Sequence, residues 1–124
     1  ITNYMKETGT KYLFGCSSVK TTDIRVIASI YKHFQENGKV SDEINVSPKG
    51  KFRMRNFRKT LESITPQEIA DAREKIPPLL NSYINMGSMI CGEPALDKKF
   101  KCADFLTLFD VEKSEKKVHR KYQI

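Results

Sequence analysis

Three short stretches of this 124-residue chain carry side chains able to do chemistry. The first is Gly15-Cys16-Ser17-Ser18. A cysteine attacks only as a thiolate, which needs a base or a local positive potential. No partner for Cys16 can be named from the sequence, and a small buried strand residue is the simpler expectation. The hydroxyls of Ser17 and Ser18 can cap the following segment or hydrogen-bond a ligand; both roles stay open. The second stretch holds Glu93, Asp97, Asp104 and Asp110, carboxylates set around the last two apolar runs. A fixed anion pairs with an ammonium group, so such residues suit an amine substrate. Asp97, in PALDKK, suits a turn equally well. Asp104 has apolar neighbours and would need a partner if buried. The third stretch is PKGKFRMRNFRK, where Lys49, Lys51, Arg53, Arg55, Arg58 and Lys59 alternate with Phe52, Met54 and Phe57 and no acid intervenes. Cations interleaved with apolar side chains suit an acidic carrier protein, an anionic lipid surface or nucleic acid. A solvated basic loop without a partner is the plainer alternative.

Other chemistries lack their residues. The sequence has no Gly-rich phosphate loop, no GxSxG elbow, no HExxH and no other metal-type pair of histidines. Its three cysteines, Cys16, Cys91 and Cys102, form no CxxC pair, which argues against a disulfide framework and a zinc site. No metal is expected, and a reducing, cytoplasmic setting is. His33 falls toward the polar side of a helical pattern and His119 in a charged tail, so both are expected to be solvated.

The elements that must position these residues follow from periodicity. Tyr12, Leu13 and Phe14 suit a buried strand that ends at Gly15 to Ser18. Thr22 and Asp23 offer caps for a helix to about Asn37, with an apolar stripe of Ile24, Ile27, Ala28, Ile30, Tyr31 and Phe34 and a stop at Gly38. From Lys39 to about Ser63 the chain is polar and broken by Pro48 and Gly50; KFRMR fits an edge strand or an ordered loop. Thr65, Pro66 and Glu68 form a capping-box pattern that opens a helix through Ile69, Ala72 and Ile76. Pro77-Pro78 must break it, and Leu79, Leu80, Tyr83 and Ile84 restart an apolar stripe that ends at Gly87. SMICGEPA from Ser88 and CADFLTLFDV from Cys102 are strand-like runs, followed by a charged tail at residues 112–124. The order predicts an α/β or α+β domain, a mixed sheet with flanking helices.

Length allows one compact unit with a modest core. With 39% hydrophobic and 30% charged residues the composition is that of an ordinary globular chain and excludes a disordered one. No apolar run is long enough to span a bilayer. Lys and Arg number 22 against 15 acids, a net charge of +7 that favours an acidic partner. The chain begins at Ile1, and ITNYMKETG reads as the end of a helix stopped at Gly9, which predicts a piece of a longer protein.

Two of these stretches resemble a known family. YLFGCSSV, together with LLNSYINMGSMICGEPALDKKFKCADFLTLFDVEK from Leu79 to Lys113, is similar to the hemolysin-like N-acyltransferases of the GNAT superfamily, the group of ornithine lipid synthases and related N-acyl amino acid synthases. Tyr83, Gly87, Gly92, Pro94, Ala95, Asp97, Phe100, Asp104, Phe105, Leu108 and Asp110 stand at the spaced positions of that family's C-terminal motif. The resemblance is weak through Lys39 to Ser63. It implies the C-terminal half of a GNAT-type fold, and transfer of a fatty acyl group from acyl carrier protein, or coenzyme A, to the amine of an amino acid such as ornithine. The thioester is then a co-substrate and no other cofactor is needed. It also implies that Gly15, Cys16, Ser17 and Ser18 lie near the acyl donor, and that the C-terminal strands, with Gly92, Glu93, Asp97 and Asp104, help form the acyl and amine pocket.

Because the resemblance begins at the family's second half, the acidic catalytic segment, the LGRxCV-like strand and the donor-binding turn are missing from these residues. The catalytic base therefore remains unassigned, and no transfer is expected from the 124 residues alone. The six cations from Lys49 to Lys59 are expected to dock acyl carrier protein, with peripheral contact to an anionic membrane on its inner face second. No nucleic-acid motif accompanies them, so nucleic acid is not an expected partner. A non-catalytic module that docks acidic proteins or membranes through the same segment is the competing class.

Overall fold

The computed structural model describes residues 6–8, 12–42 and 44–110. Their chain order is β1 (Lys6–Thr8), β2 (Tyr12–Val19), α1 (Ile24–Glu36), a 3-10 turn at Gly50–Phe52, α2 (Phe57–Ser63) and α3 (Pro66–Ala72). A second 3-10 turn at Arg73–Lys75 then leads to α4 (Pro78–Asn85), β3 (Met89–Ile90), β4 (Ala95–Asp97) and β5 (Cys102–Asp110). This is an α+β arrangement. The long strands β2 and β5 pair antiparallel from Tyr12 opposite Asp110 to Val19 opposite Ala103. β1 extends the sheet beyond β2, while β3 and β4 pair side by side along the far edge of β5. Among the described residues every strand pairing is antiparallel, so the sheet is not the mixed one expected; the parallel bridge between Val40 and Ile90 is isolated and lies outside the named strands.

The helices cover one face of this sheet. Strand side chains alternate, so Val19, Ala103, Phe105 and Ile90 point into the same core as Ile27, Ile30 and Phe34 of α1 and Leu80 and Ile84 of α4. α1 starts where predicted, with the Asp23 carboxylate accepting the Arg25 N–H at 3.0 Å. The capping box of α3 forms in full: Thr65 Oγ1 accepts the Glu68 N–H and the Glu68 carboxylate accepts the Thr65 N–H, each at 3.2 Å. The same carboxylate takes both arms of the Arg25 guanidinium, tying α3 to α1. Pro77 ends the preceding turn and Pro78 opens α4, since neither ring carries an N–H to continue a helix.

Several expectations change. Lys6–Thr8 is a strand rather than a helix end; its backbone pairs with Phe14 to Tyr12, a partner that local sequence cannot show. KFRMR takes the second of its two expected forms, an ordered loop and not an edge strand. It forms the 3-10 turn and the approach to α2, a helix the polar sequence hides, because Met54 and Phe57 turn inward and Tyr31 meets Phe57 edge to face at 5.7 Å. SMICGEPA divides into two short strands at Gly92, whose φ of +89° breaks the extended run. His33 is half-buried rather than solvated, and burial lowers its pKa. His119 and residues 112–124 lie outside the described residues. Among the described residues no helix is long and apolar enough to cross a membrane.

Candidate functional site

The uncovered face of the sheet holds the candidate chemistry. Register places Cys16 opposite Leu106 and Ser18 opposite Asp104, so these side chains share the face away from the helices. Cys16 is exposed there and not the buried strand residue expected from its sequence context. Ser18 Oγ donates to Asp104 Oδ1 at 2.5 Å, a short charge-assisted bond, and the Cys102 thiol donates to the same oxygen at 3.6 Å. Asp104 thus has the partners that its apolar neighbourhood demands.

Beside this pair opens a groove of about 330 Å³. β2 and β5 supply Cys16, Asp104 and Leu106; the turn into β4 supplies Glu93 and Ala95; the segment ahead of α2 supplies Val46, Pro48 and Phe52. Gly92 makes the third wall possible. A Cβ at that position would run into the Val46 carbonyl and the Asn45 side chain, so only glycine lets the loop lie against the turn, where the Val46 N–H reaches the Cys91 carbonyl at 3.2 Å.

The four residues expected near an acyl donor, Gly15 to Ser18, are split by the pleat. Cys16 and Ser18 face the open side, whereas Gly15 and Ser17 face the core; the Gly15 carbonyl accepts from Thr107 Oγ1 at 3.1 Å. Of the carboxylate set, Glu93 and Asp104 border the groove. Asp97 caps the next turn, its Oδ1 accepting the N–H groups of Lys99 and Phe100 at 3.0 and 3.1 Å. The side chain of Asp110 lies outside the described residues.

No family model, curated protein or solved structure matches this chain. The geometry of the site therefore has to carry its own chemistry.

Cys16 is exposed, yet its thiol is partly enclosed, and burial together with the negative charge of Asp104 pushes its pKa up to about 11. At neutral pH it is a thiol and a poor nucleophile. Burial raises Cys102 as well, with Asp104 adding to the effect, and burial alone pushes Cys91 up to about 11. Among the described residues no cluster of histidine, cysteine and acidic side chains is arranged to hold a metal ion.

Glu93 stands at a junction. It borders the apolar groove and also a second cleft of about 480 Å³ that takes its cations from Arg53, Arg55, Arg58 and Lys59. The Arg58 Nε donates to Glu93 Oε1 at 3.0 Å; the arginine is largely in solvent and the glutamate only 20% exposed. Among the described residues Arg53, Arg55 and Lys59 form no ion pair. Lys49 and Lys51 stay outside this cleft and stand on the 3-10 turn packed beside β4. The basic segment is therefore two surfaces, divided where the turn ends at Phe52.

Sequence reasoning missed Val46, Pro48, Phe52 and Leu106 as groove residues. Alternation along β5 places Leu106 on the face of Asp104, but the loop's return across that face leaves no local signal.

Proposed function

We propose that these residues form the acceptor and docking part of an N-acyltransferase that moves a fatty acyl group from acyl carrier protein, or acyl-coenzyme A, to the amine of an amino acid such as ornithine. The observation that carries this reading is the convergence of Cys16, Glu93 and Asp104 on one groove, with Ser18 bonded to Asp104 beside it, from the two stretches that resemble that family. In the reaction the neutral amine attacks the thioester carbonyl, a C–N bond forms, the C–S bond breaks, and the proton lost by nitrogen balances the one gained by the thiolate. Leu106, Ala95, Val46 and Phe52 give the acyl chain an apolar wall. Asp104, held by Ser18, and Glu93 offer carboxylates to an ammonium group. An acceptor with two amines, such as ornithine, leaves one ammonium for a carboxylate to hold while the other amine attacks. A Cys16 that stays protonated favours direct attack over an acyl-cysteine intermediate. Arg53, Arg55 and Lys59, beside Glu93 and without an ion pair among the described residues, suit an acidic carrier protein.

The test incubates protein expressed from the complete reading frame with long-chain acyl carrier protein and a panel of amino acids, and follows N-acyl products by mass. Asp104→Asn should lower acceptor kcat/KM by roughly tenfold to a hundredfold, the scale of one lost hydrogen bond to a charged group. The competing reading, a binding module without catalysis, draws on the same cations. A folded protein that binds the carrier but yields no product with any acceptor would favour it.

A further inference from the structure

The β4–β5 connection exposes an aromatic ring among cations. Phe100 is 72% exposed, the most exposed large apolar side chain among the described residues, and Lys98, Lys99 and Lys101 around it are all exposed. A single exposed apolar side chain is ordinary on a protein surface; what sets this one apart is its company of three exposed lysines on one short turn. This turn is held in shape. The Asp97 carboxylate accepts the N–H groups of Lys99 and Phe100, and Lys101 takes a φ of +53°, a left-handed conformation uncommon outside glycine. The Lys99 ammonium lies 5.8 Å from the Phe100 ring centre.

A second projection repeats the pattern. On the 3-10 turn Gly50–Phe52, Phe52 is 41% exposed, the Lys51 ammonium lies 5.3 Å from its ring centre, and Lys49 precedes it. This turn packs beside β4, the strand that leads into the Phe100 turn. Two basic-aromatic turns therefore flank one edge of the sheet, with Val46, 45% exposed, on the same loop as Phe52.

We infer that this edge is a membrane-docking surface, in which Phe100 enters the headgroup region of an anionic bilayer and Lys98, Lys99 and Lys101, with Lys49 and Lys51, stay at the phosphate level. The chemistry of the partner follows from the pairing of features. Five exposed lysines are complementary to a negative surface, and each is worth about 1 kcal/mol near an anionic leaflet. A ring raised on a rigid turn suits a soft, apolar interior better than the hydrated surface of an acidic protein. This inference does not depend on acyl transfer, because its anchor, Phe100 with Lys98, Lys99 and Lys101, lies outside the groove; only Phe52 and Val46 belong to both surfaces.

The chain contains no tryptophan, so Phe100→Trp introduces a single reporter. Vesicles of phosphatidylcholine with about one-third phosphatidylglycerol should shift its emission to the blue, and brominated acyl chains should quench it; pure phosphatidylcholine vesicles should do neither. Added to that reporter variant, Lys98→Gln with Lys99→Gln should reduce partitioning about twenty-five-fold, at about fivefold per lysine. In the otherwise unchanged chain, Phe100→Ala should reduce co-sedimentation about tenfold, with an unaltered circular dichroism spectrum. Absence of vesicle binding overturns the inference. So does binding without blue shift or quenching, which would assign the attachment to charge elsewhere on the chain. A shift caused by polyglutamate or an acidic carrier protein, but not by vesicles, would replace the membrane with a protein partner.

Discussion

The two faces of β2 and β5 are built from alternating residues of the same strands, yet they do opposite work. On the covered face Phe105 and Thr107 are fully buried, and Ser17, 2% exposed, has a hydroxyl with no hydrogen-bond partner among the described residues. On the open face the neighbouring residues Cys16, Ser18, Asp104 and Leu106 reach solvent or the groove, and Ser18 binds Asp104. A strand puts successive side chains on opposite sides. One residue of register therefore separates a buried position from one on the open face, and the buried Ser17 from a Ser18 that holds a carboxylate.

Stability should separate the faces most strongly. Phe105→Ala should cost about 3–5 kcal/mol in denaturant unfolding, the scale for an aromatic removed from a closed core. Leu106→Ala, half-exposed on the other side, should cost well under half of that. Equal losses would mean that the open face is also core, and the comparison would fail.

Next comes thiol reactivity on the open face. In a chain with Cys91 and Cys102 replaced by Ala, Cys16 should react with iodoacetamide at pH 8 about a hundredfold more slowly than an ordinary thiol, and accelerate as pH rises toward its pKa of about 11. Asp104→Asn removes a negative neighbour and should speed the reaction. A fast, pH-insensitive Cys16 would contradict a protonated thiol and reopen the covalent route.

A smaller change tests the covered side, where the Arg25–Glu68 pair and the α3 cap join two helices. Thr65→Ala should cost about 1 kcal/mol. The Arg25 hydrogen bond, followed by those from Thr65, lowers the Glu68 pKa from 4.5 to about 2. For a carboxylate with a depressed folded pKa, the stabilisation is complete above 4.5 and is lost as pH falls through about 2. The stability difference between the protein and Glu68→Gln should shrink across that window; a difference that grew on acidification would exclude the pair as its source. Exposure of both side chains makes the effect sensitive to salt.

Local chemistry made some of this legible. Asp23 before an apolar stripe, Thr65-Pro66 with Glu68, and the Pro77-Pro78 break each act within a few residues, and each forms as expected. β2 and β5 were legible from their apolar runs. Lys6–Thr8 and α2 were not, because the first depends on a neighbouring strand and the second on a core into which Phe57 fits. For the site, Cys16, Ser18, Glu93 and Asp104 were named from residue type. Gly15, Ser17 and Asp97 were named with them and take packing, core-facing and turn positions, because the pleat and the turn decide where a side chain points.

Residue order alone was enough for the α+β content, the helix caps, the net positive charge and the residues able to bind an amine or an anion. These follow from periodicity, capping and ionisation, all of which operate within a few residues. Folding in three dimensions was needed to bring Ser18 to Asp104, to wall their groove with a loop held by Gly92, and to divide the basic segment into a cleft at Arg53–Lys59 and a lysine-aromatic edge shared with Phe100. Ser18 and Asp104 lie 86 residues apart. Such contacts depend on strand register and on the packing of distant segments, so no local pattern encodes them.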